Sequence, residues 1–323
     1  MSNIVFSIII PTHNNENYIF SSLMSVLKQA NDTMEIVIIN DGSTDRTHDE
    51  ILRALATKHT ANVKYIQQDN KGISATRNVG LDLSSGEYIL FIDGDDLWFD
   101  NLMDVIYPIV KNEKPDLIDF EYIRFNDDAE LPEKSQIKDV QHAIHKNSDS
   151  VLRERFKRSH WHVWSRVFRK DILGDHKFPN SGRYEDMYFT PWLYFKSENI
   201  VSIKAPLYLY RTNHSGITQN LLVDDINNMT DTLEHTISEF DSHAHTPKKQ
   251  ELLKLVILNC LLEIKTIHKK IYGYYKYDKK ICDIIKRSSV FIDKNETKGS
   301  IVFHMKHPHL ITKVSKFLYA FKR

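Results

Sequence analysis

The sequence has few cysteines and no apolar run long enough to cross a membrane. Its two cysteines, Cys260 and Cys282, provide neither a disulfide framework nor a zinc ligand set. A membrane-spanning helix needs about 20 consecutive apolar residues, and the N-terminus lacks the basic and apolar segments of a signal peptide. We therefore expect a soluble or peripheral protein of the reducing cytoplasm.

An excess of charge of either sign is also absent. Lysine plus arginine and aspartate plus glutamate each number 43, so the formal net charge is zero and no global field attracts nucleic acid. The sequence contains no glycine-rich phosphate loop of the G-x-G-x-x-G or P-loop type. Nucleic acid is therefore not an expected partner, and a nucleotidyltransferase is a distant alternative.

The N-terminal part of the chain alternates short apolar runs with amphipathic segments. Residues 5–10 are almost continuously apolar and end at Pro11, which is typical of a strand buried on both faces of a parallel sheet. Apolar residues then recur at helical spacing over residues 17–28. The same order repeats over residues 36–66, and this alternation predicts an α/β fold with a mostly parallel central sheet flanked by helices.

The character of the sequence changes after residue 125. A polar stretch of little periodicity, interpreted as a connector, runs to residue 150, and an aromatic-rich block follows it. Beyond residue 220 the pattern is mainly helical. We therefore predict a domain over residues 1–220 with halves 1–125 and 126–220, and a helical C-terminal extension over residues 221–323.

The end of this extension is basic and amphipathic. Residues 297–323 contain no aspartate or glutamate. One helical face carries Leu310, Val314, Phe317, Leu318 and Phe321, and positive charge comes from Lys313, Lys316, Lys322 and Arg323. Such a helix predicts peripheral contact with anionic lipid at the inner face of the cell membrane. Packing on its own domain and a homo-oligomer contact remain open alternatives.

Three carboxylates crowd the end of one predicted buried strand, at Asp93, Asp95 and Asp96. Their repulsion would raise at least one pKa unless a cation offsets it, and oxygen ligands favour Mg²⁺, Mn²⁺ or Ca²⁺ over zinc. An EF-hand is excluded because its sixth position would be Trp98 instead of glycine. We expect a divalent metal that bridges a bound diphosphate. A polar turn with a helix cap is the alternative.

A second acidic loop, residues 40–45, follows an earlier strand. For Ser43 and Asp45 we predict a turn and a helix cap. Asp41 is different, because an acceptor-only side chain at the sheet edge can take hydrogen bonds from the N–H or hydroxyl groups of a ligand.

Four ordered motifs resemble glycosyltransferase family 2, a group of inverting enzymes with the Rossmann-like fold called GT-A. The motifs are IIIPTHN at 8–14, INDGSTD at 39–45, NKGISATRN at 70–78 and GEYILFIDGDD at 86–96. Each motif alone is weak, but their order and spacing together are specific. A looser similarity continues to residue 220, and the last hundred or so residues match no pattern that we would use.

The resemblance implies transfer of a sugar from a nucleotide diphosphate, commonly UDP, to a hydroxyl of a glycan or lipid-linked glycan in surface polysaccharide biosynthesis. It also implies Mn²⁺ or Mg²⁺ as cofactor, with residues 1–125 binding the nucleotide sugar and residues 126–220 binding the acceptor. A non-catalytic subunit that binds sugar nucleotides or glycans is an alternative, but it would lack the metal-binding acids or the base.

The resemblance assigns roles to single residues. Asp41 would recognise the base, and Asp93 and Asp95 would be the acids of a D-x-D motif, with Asp95 and Asp96 as candidate metal ligands. The residues expected to contact the donor are Pro11, Thr12, Glu16, Asp41, Arg77, Asn78, Asp93, Asp95, Arg211 and His214. For Arg211, a surface location is an equally weighted alternative.

Inversion requires a general base that takes the proton of the acceptor hydroxyl. Residues 183–188, RYEDMY, resemble the family's Glu-Asp motif, which makes Asp186 the expected base and Glu185 its supporting carboxylate. The alternative is a solvated helix start. Trp161 and Trp164 lie in a segment that departs from the family pattern, and core packing is favoured for them over stacking on sugar rings.

Overall fold

The computed structural model describes residues 4–57, 62–126, 144–179, 182–213, 220–242, 246–292 and 297–321. The chain divides into two compact units. The first unit contains Met1–Leu152, Trp161–Ser181 and Phe189–Gly216. The second unit contains Arg153–His160, Gly182–Tyr188 and Ile217–Arg323. Two short segments from within the first 220 residues therefore group with the C-terminal region.

The first unit contains a sheet, and its described strands number nine. They are β1 (Phe6–Thr12), β2 (Met34–Asp41), β3 (Asn62–Gln68), β4 (Tyr88–Phe91), β5 (Leu97–Trp98), β6 (Leu117–Phe125), β7 (Ile144–Lys146), β8 (Arg166–Arg169) and β9 (Ile200–Arg211). Their order is β3-β2-β1-β4-β8-β6-β9-β5, and β7 pairs with β9.

The strands that the sequence predicts most clearly form the parallel part of this sheet. β1 pairs in parallel with β2 and β4, and β2 pairs in parallel with β3. Every residue of β1 and β2 is buried, because helices cover both faces of a parallel sheet. The mostly parallel α/β prediction is confirmed. β8 pairs antiparallel with both β4 and β6, and so makes the sheet mixed.

Helices of the first unit connect these strands. They are α1 (Ile19–Leu27), α2 (Thr47–Leu55), α3 (Ile73–Leu83) and α4 (Leu102–Glu113). α3 packs so closely on the sheet that a Cβ added at Gly80 would lie 2.3 Å from Ile9 Cγ2. Two further helices, α5 (Asp149–Arg158) and α6 (Glu185–Lys196), each have residues in both units.

The C-terminal region of the second unit is helical, as the sequence predicts. Its helices are α7 (Asp224–Ser242), α8 (Pro247–Tyr272), α9 (Lys279–Ser288), α10 (Gly299–Lys306) and α11 (Pro308–Ala320). The α8 helix starts where Thr246 accepts a hydrogen bond from the Lys249 amide, and ends at Gly273 in the left-handed conformation. Among the described residues, no helix is both long and apolar enough to pass through a bilayer.

Candidate functional site

The candidate site lies at the carboxyl edge of the parallel strands. Pro11 and Thr12 end β1, and Thr12 is in register with Asn40 of β2. The loop after β4 comes so close to β1 that a Cβ added at Gly94 would lie 2.9 Å from Thr12 Oγ1. A side chain at this position would therefore crowd Thr12, and the acidic loop Asp93–Asp96 lies directly beside the end of β1.

Asp96 anchors this loop to β9. Its side chain is fully buried, and its two carboxylate oxygens accept hydrogen bonds from the Tyr208 hydroxyl at 2.7 Å and the Arg211 amide at 2.8 Å. Burial, together with repulsion from Asp95 and Asp93, raises the pKa of Asp96 well above its usual range. The geometry makes Asp96 a structural anchor of the loop rather than an accessible metal ligand.

Asp95 lies next to the anchor and is half-buried. Its Oδ2 accepts a hydrogen bond from Asn213 Nδ2 at 2.9 Å, and its carbonyl accepts one from Arg211 Nε at 2.7 Å. Burial and then repulsion from Asp93 raise the pKa of Asp95. A cation beside these carboxylates would relieve that repulsion.

Asp93 forms a salt bridge with a buried arginine. Arg77 Nη2 donates to Asp93 Oδ1 at 2.8 Å, and the guanidinium carbon lies 5.8 Å and 5.5 Å from the ring centroids of Phe91 and Phe178. The Asp93 amide donates to the Tyr208 hydroxyl at 3.2 Å. Arg77 is therefore directed to the acidic loop by its packing, and it fixes one oxygen of Asp93.

The acidic loop offers oxygen ligands for a divalent metal. Within the described ranges, no group of three or more His, Cys, Asp or Glu side chains is arranged to hold a metal. Asp93 and Asp95 nevertheless supply hard oxygen ligands beside each other, and Mg²⁺ or Mn²⁺ commonly combines one or two carboxylates with phosphate oxygens and water. Asp93, together with Asp95, whose pKa is raised, fits a cation whose coordination is completed by a diphosphate.

Asp41 holds the loop that begins α3. Its Oδ1 accepts hydrogen bonds from Gln68 Nε2 at 2.7 Å and the Lys71 amide at 2.9 Å, and its Oδ2 accepts one from the Gly72 amide at 2.9 Å. A carboxylate offers about four acceptor positions. Asp41 therefore keeps an acceptor position on Oδ2, and its predicted contact with the base stays a prediction.

The neighbouring loop residues have structural partners, as expected, but they do not cap α2. Asp45 Oδ1 accepts a hydrogen bond from the Thr47 amide at 3.0 Å, and the Ser43 hydroxyl accepts one from the Asn14 amide at 2.9 Å. The N-cap of α2 is Arg46, which makes no side-chain capping bond, so the predicted helix cap is wrong. Glu16 also acts within this loop, because its Oε2 accepts hydrogen bonds from the amide and Nε of Arg46 at 3.0 Å and 3.2 Å.

Two other predicted donor residues have defined partners. The carboxamide of Asn78 makes two 3.0 Å hydrogen bonds with the backbone of Phe178, donating to its carbonyl and accepting from its amide. Arg211 is buried, so a surface location for it is wrong. Its guanidinium lies over the rings of Tyr18 and Phe125, at 4.7 Å and 4.4 Å. His214 lies outside the described residues.

Tyr208, which holds the acidic loop, is part of an aromatic stack. The Trp164 ring stacks on Tyr208 with centroids 4.2 Å apart and an interplanar angle of 11°. Trp161 and Trp164 are both buried, so core packing is confirmed for them. Sequence reasoning missed the roles of Tyr208 and Asn213. Their proximity to Arg211, already a candidate, was the signal that could have found them.

Glu185 and Asp186 begin α6 and belong to the second compact unit, whereas the acidic loop belongs to the first. Both side chains are half-buried, which is not the arrangement of a fully solvated helix start. The structure thus gathers Thr12, Asp93 and Asp95 in one unit. Asp186 belongs to the second unit.

The chain is similar in sequence to known glycosyltransferases. The family described as "Glycosyl transferase family 2" matches residues 7–176. The glycosyltransferase GlyA of Streptococcus pneumoniae is 26% identical over 219 residues, which are 66% of this chain and 31% of GlyA. GlyG of the same organism is 24% identical over 315 residues, which are 93% of this chain and 99% of GlyG. The chain therefore spans under a third of GlyA but almost all of GlyG.

Solved structures share the fold. The structure of S. aureus TarS 1–349 in complex with UDP-GlcNAc has a TM-score of 0.71 and 19% identity, covering 90% of this chain and 82% of that chain. The mannosyltransferase PcManGT from Pyrobaculum calidifontis, in complex with GDP-Man and Mn²⁺, has a TM-score of 0.57 and 13% identity, covering 94% and 85%. At these identities the likeness shows a GT-A-like fold, which agrees with the sequence-based prediction.

Proposed function

Because the chain belongs to glycosyl transferase family 2, we propose that it transfers a sugar from a nucleoside diphosphate, UDP, to a hydroxyl of a surface glycan with inversion at the anomeric carbon. The observation that carries this proposal is the pair Asp93 and Asp95 at the carboxyl edge of the sheet, where α/β folds bind their ligands. The UDP-GlcNAc in a structure of the same fold supports UDP as the nucleotide.

In this proposal Asp93 and Asp95 would hold the metal. A bound Mn²⁺ or Mg²⁺ would offset the negative charge that develops on the leaving diphosphate. Arg77 keeps Asp93 in place through the 2.8 Å salt bridge, and Asn213 orients Asp95. Asp96 holds the loop in shape through Tyr208 and Arg211, so the ligands are preorganised before the donor binds.

Asp186 is the proposed general base. It would accept the proton of the acceptor hydroxyl as that oxygen attacks the anomeric carbon, and Glu185 would hold the acceptor in place. The support is the resemblance of residues 183–188 to the Glu-Asp motif and the half-buried position of both acids at the start of α6. A carboxylate is a suitable base because it is ionised at neutral pH.

The first experiment tests donor and metal binding on the full chain. Calorimetry with UDP and Mn²⁺ is expected to show binding that EDTA abolishes. Asp95→Asn should weaken that binding at least about tenfold, because it removes one anionic ligand. Asp82→Asn is the matched control, since Asp82 pairs with Lys177 at 2.6 Å on the surface of the same unit. Wild-type protein that takes up no UDP with Mn²⁺ would overturn this assignment of donor and metal.

A second experiment tests the base. Release of UDP from a panel of UDP-sugars, with and without added glycan acceptors, identifies a donor that the wild-type protein uses. Asp186→Asn should then slow transfer by roughly 10²–10⁴-fold, the usual contribution of a general base, while UDP binding is retained. Full turnover of that variant would refute the role of Asp186.

We also propose that the protein meets an anionic lipid surface through α11. The helix turns its polar and aromatic side inward, where Ser315 accepts a hydrogen bond from the Tyr275 amide at 3.1 Å and Tyr319 covers Gly273. Its apolar side faces solvent. The exposed fractions on that side are Leu310 49%, Val314 45%, Phe317 61%, Leu318 54% and Phe321 75%.

This exposure contradicts packing of the apolar stripe on its own domain. Lys313 and Lys316 are exposed along one side of this stripe, and residues 297–323 carry no acid. Exposed apolar side chains beside lysines match the interface of a bilayer with anionic headgroups. Lys322 and Arg323, also predicted to contribute charge, lie outside the described residues. A lipid-linked acceptor would be presented at such a surface.

Flotation of the full chain with vesicles tests the membrane contact. Vesicles of phosphatidylglycerol and phosphatidylcholine should carry the protein upward, and vesicles of phosphatidylcholine alone should carry much less. Phe317→Ser should reduce flotation. Val290→Ser is the control and should not reduce it, because Val290 is 77% exposed but lies outside the stripe. Equal flotation of all forms would refute the proposal. A dimer that dissociates only when Phe317 is replaced by serine would also refute the proposal.

A further inference from the structure

The acid pair Glu185 and Asp186 is preceded by an arginine with a buried partner. Arg183 Nη1 donates to Asp225 Oδ2 of α7 at 3.0 Å. The Asp225 side chain has no exposed surface, so the Arg183 guanidinium offsets its charge where water is excluded. The Asn220 carbonyl accepts a second hydrogen bond from the same Nη1 at 2.7 Å. Arg183 is thus fixed to the start of α7.

The backbone on both sides of Arg183 is left-handed. Gly182 has φ 78° and Tyr184 has φ 69°. A Cβ added at Gly182 would lie 2.1 Å from the Asn228 side chain of α7, so the loop touches this helix directly. For a bulky residue such as Tyr184 this conformation is an outlier that persists only where the surroundings enforce it.

The Tyr184 side chain is half-buried and lies close to Glu263 of α8. Burial raises the pKa of Tyr184, and the charges of Glu263 and Asp225 add to this effect, so the hydroxyl keeps its proton. Both helices therefore hold the two residues that come immediately before the acid pair.

The residues after the acid pair are held as well. Tyr188, in the first turn of α6, stacks on His235 of α7 with ring centroids 4.4 Å apart and an interplanar angle of 28°. Burial lowers the pKa of His235, which favours the neutral ring at neutral pH. Contacts with the C-terminal helices thus flank the acid pair on both sides along the chain.

We infer that the C-terminal helices orient Glu185 and Asp186, and that Arg183 and Asp225 are positioning residues for the proton transfer at Asp186. This inference rests on the proposed role of Asp186. An arginine–carboxylate pair fixes direction as well as distance. Misplacement of a catalytic group by about 1 Å can reduce the rate about 10²-fold. The helical extension thereby becomes part of the catalytic apparatus, although none of its side chains is assigned to the chemistry.

Two isosteric variants of α7 test the inference. Asp225→Asn removes the buried charge opposite Arg183 and keeps the size of the side chain. Asp231→Asn is the matched control, because Asp231 is 60% exposed and pairs with Lys280 at 3.2 Å on the surface. Hydrogen–deuterium exchange of the full chain should show at least about fivefold faster exchange over 182–190 in Asp225→Asn. Asp231→Asn should leave it unchanged.

Kinetics with the UDP-sugar selected by the donor panel give the second readout. Asp225→Asn should lower kcat about tenfold or more and leave the KM for the donor within about twofold, because only the base is displaced. Tyr184→Phe, which removes only the hydroxyl near Glu263, should show a smaller effect of the same kind. Uniform loss of active protein with an unchanged kcat per active molecule would indicate a purely structural role and overturn the inference.

The outcomes separate this inference from the proposed function. If Asp186→Asn retains full turnover, the base assignment fails, even when Asp225→Asn loosens 182–190. If Asp186→Asn abolishes transfer and Asp225→Asn changes neither exchange nor kcat, the proposed function stands and the positioning role is refuted. Should Asp225→Asn fail to fold, Arg183→Lys keeps the charge but loses the planar fork, and the same measurements apply to it.

Discussion

Replacing Tyr208 by phenylalanine should destabilise the first compact unit and disturb its acidic loop. The Tyr208 hydroxyl donates to Asp96 at 2.7 Å and accepts from the Asp93 amide at 3.2 Å. The phenylalanine ring would keep the 4.2 Å stack on Trp164, so packing is retained and only the hydroxyl is lost. The variant therefore isolates the polar contribution of one buried atom.

The expected cost follows from the two groups that lose a partner. A buried carboxylate without its donor costs about 2 kcal/mol and a buried amide about 1 kcal/mol, which gives about 3 kcal/mol in the free energy of unfolding. The cost should fall as the pH is lowered through the raised pKa of Asp96. Burial and the neighbouring acids raise the pKa of Asp96, so lowering the pH neutralises its carboxylate early and reduces the penalty.

Urea unfolding followed by tryptophan fluorescence is a suitable assay. The four tryptophans, Trp98, Trp161, Trp164 and Trp192, all belong to the first compact unit, so the signal reports on that unit. Tyr107→Phe is the control, since the Tyr107 ring packs against Phe6 in the same unit. If Tyr208→Phe lowers the free energy of unfolding by less than about 0.5 kcal/mol, which is the size of a typical surface substitution, the reasoning is refuted.

Two further predictions concern the sheet. The Glu35 carboxylate is buried, which by itself would raise its pKa, but hydrogen bonds from Lys64, Ser7 and Ser85 lower the pKa from 4.5 to about 2. The stabilisation it gives is present above pH 4.5 and is lost as the pH falls towards 2, so Glu35→Gln should lose less unfolding free energy than wild type between pH 6 and pH 3. Gly80→Ala should lower stability by about 1–3 kcal/mol through overpacking, measured by urea unfolding, and an increase would contradict the close approach of α3 to β1.

Local patterns were sufficient for the parallel strands and the acidic loop. β1 and β2 are apolar runs that need cover on both faces, and the acids follow the end of β4, so periodicity and position alone place them. The insertion of β8 between β4 and β6 was not predictable in this way. Its four residues carry no pattern that distinguishes an antiparallel partner from a parallel one.

The burial and hydrogen bonding of each acid depend on residues that are distant in the chain. Asp96 differs from Asp95 because Tyr208 and Arg211, more than 100 residues away in the chain, satisfy its oxygens. The grouping of residues 182–188 with the C-terminal helices is equally a long-range property, set by Asp225 and neighbours along α7 and α8. Sequence reasoning could name these residues but could not state which of them meet.

The anchoring of the acidic loop by β9 has a consequence for the order of assembly during synthesis. Asp93 to Asp96 leave the ribosome long before Tyr208 and Arg211, yet Asp96 receives its two donors only from them. A nascent chain that ends before residue 211 of 323 contains every candidate metal ligand but not the strand that shapes their loop. The acidic loop therefore reaches its final shape late in synthesis, after β9 has docked on the sheet.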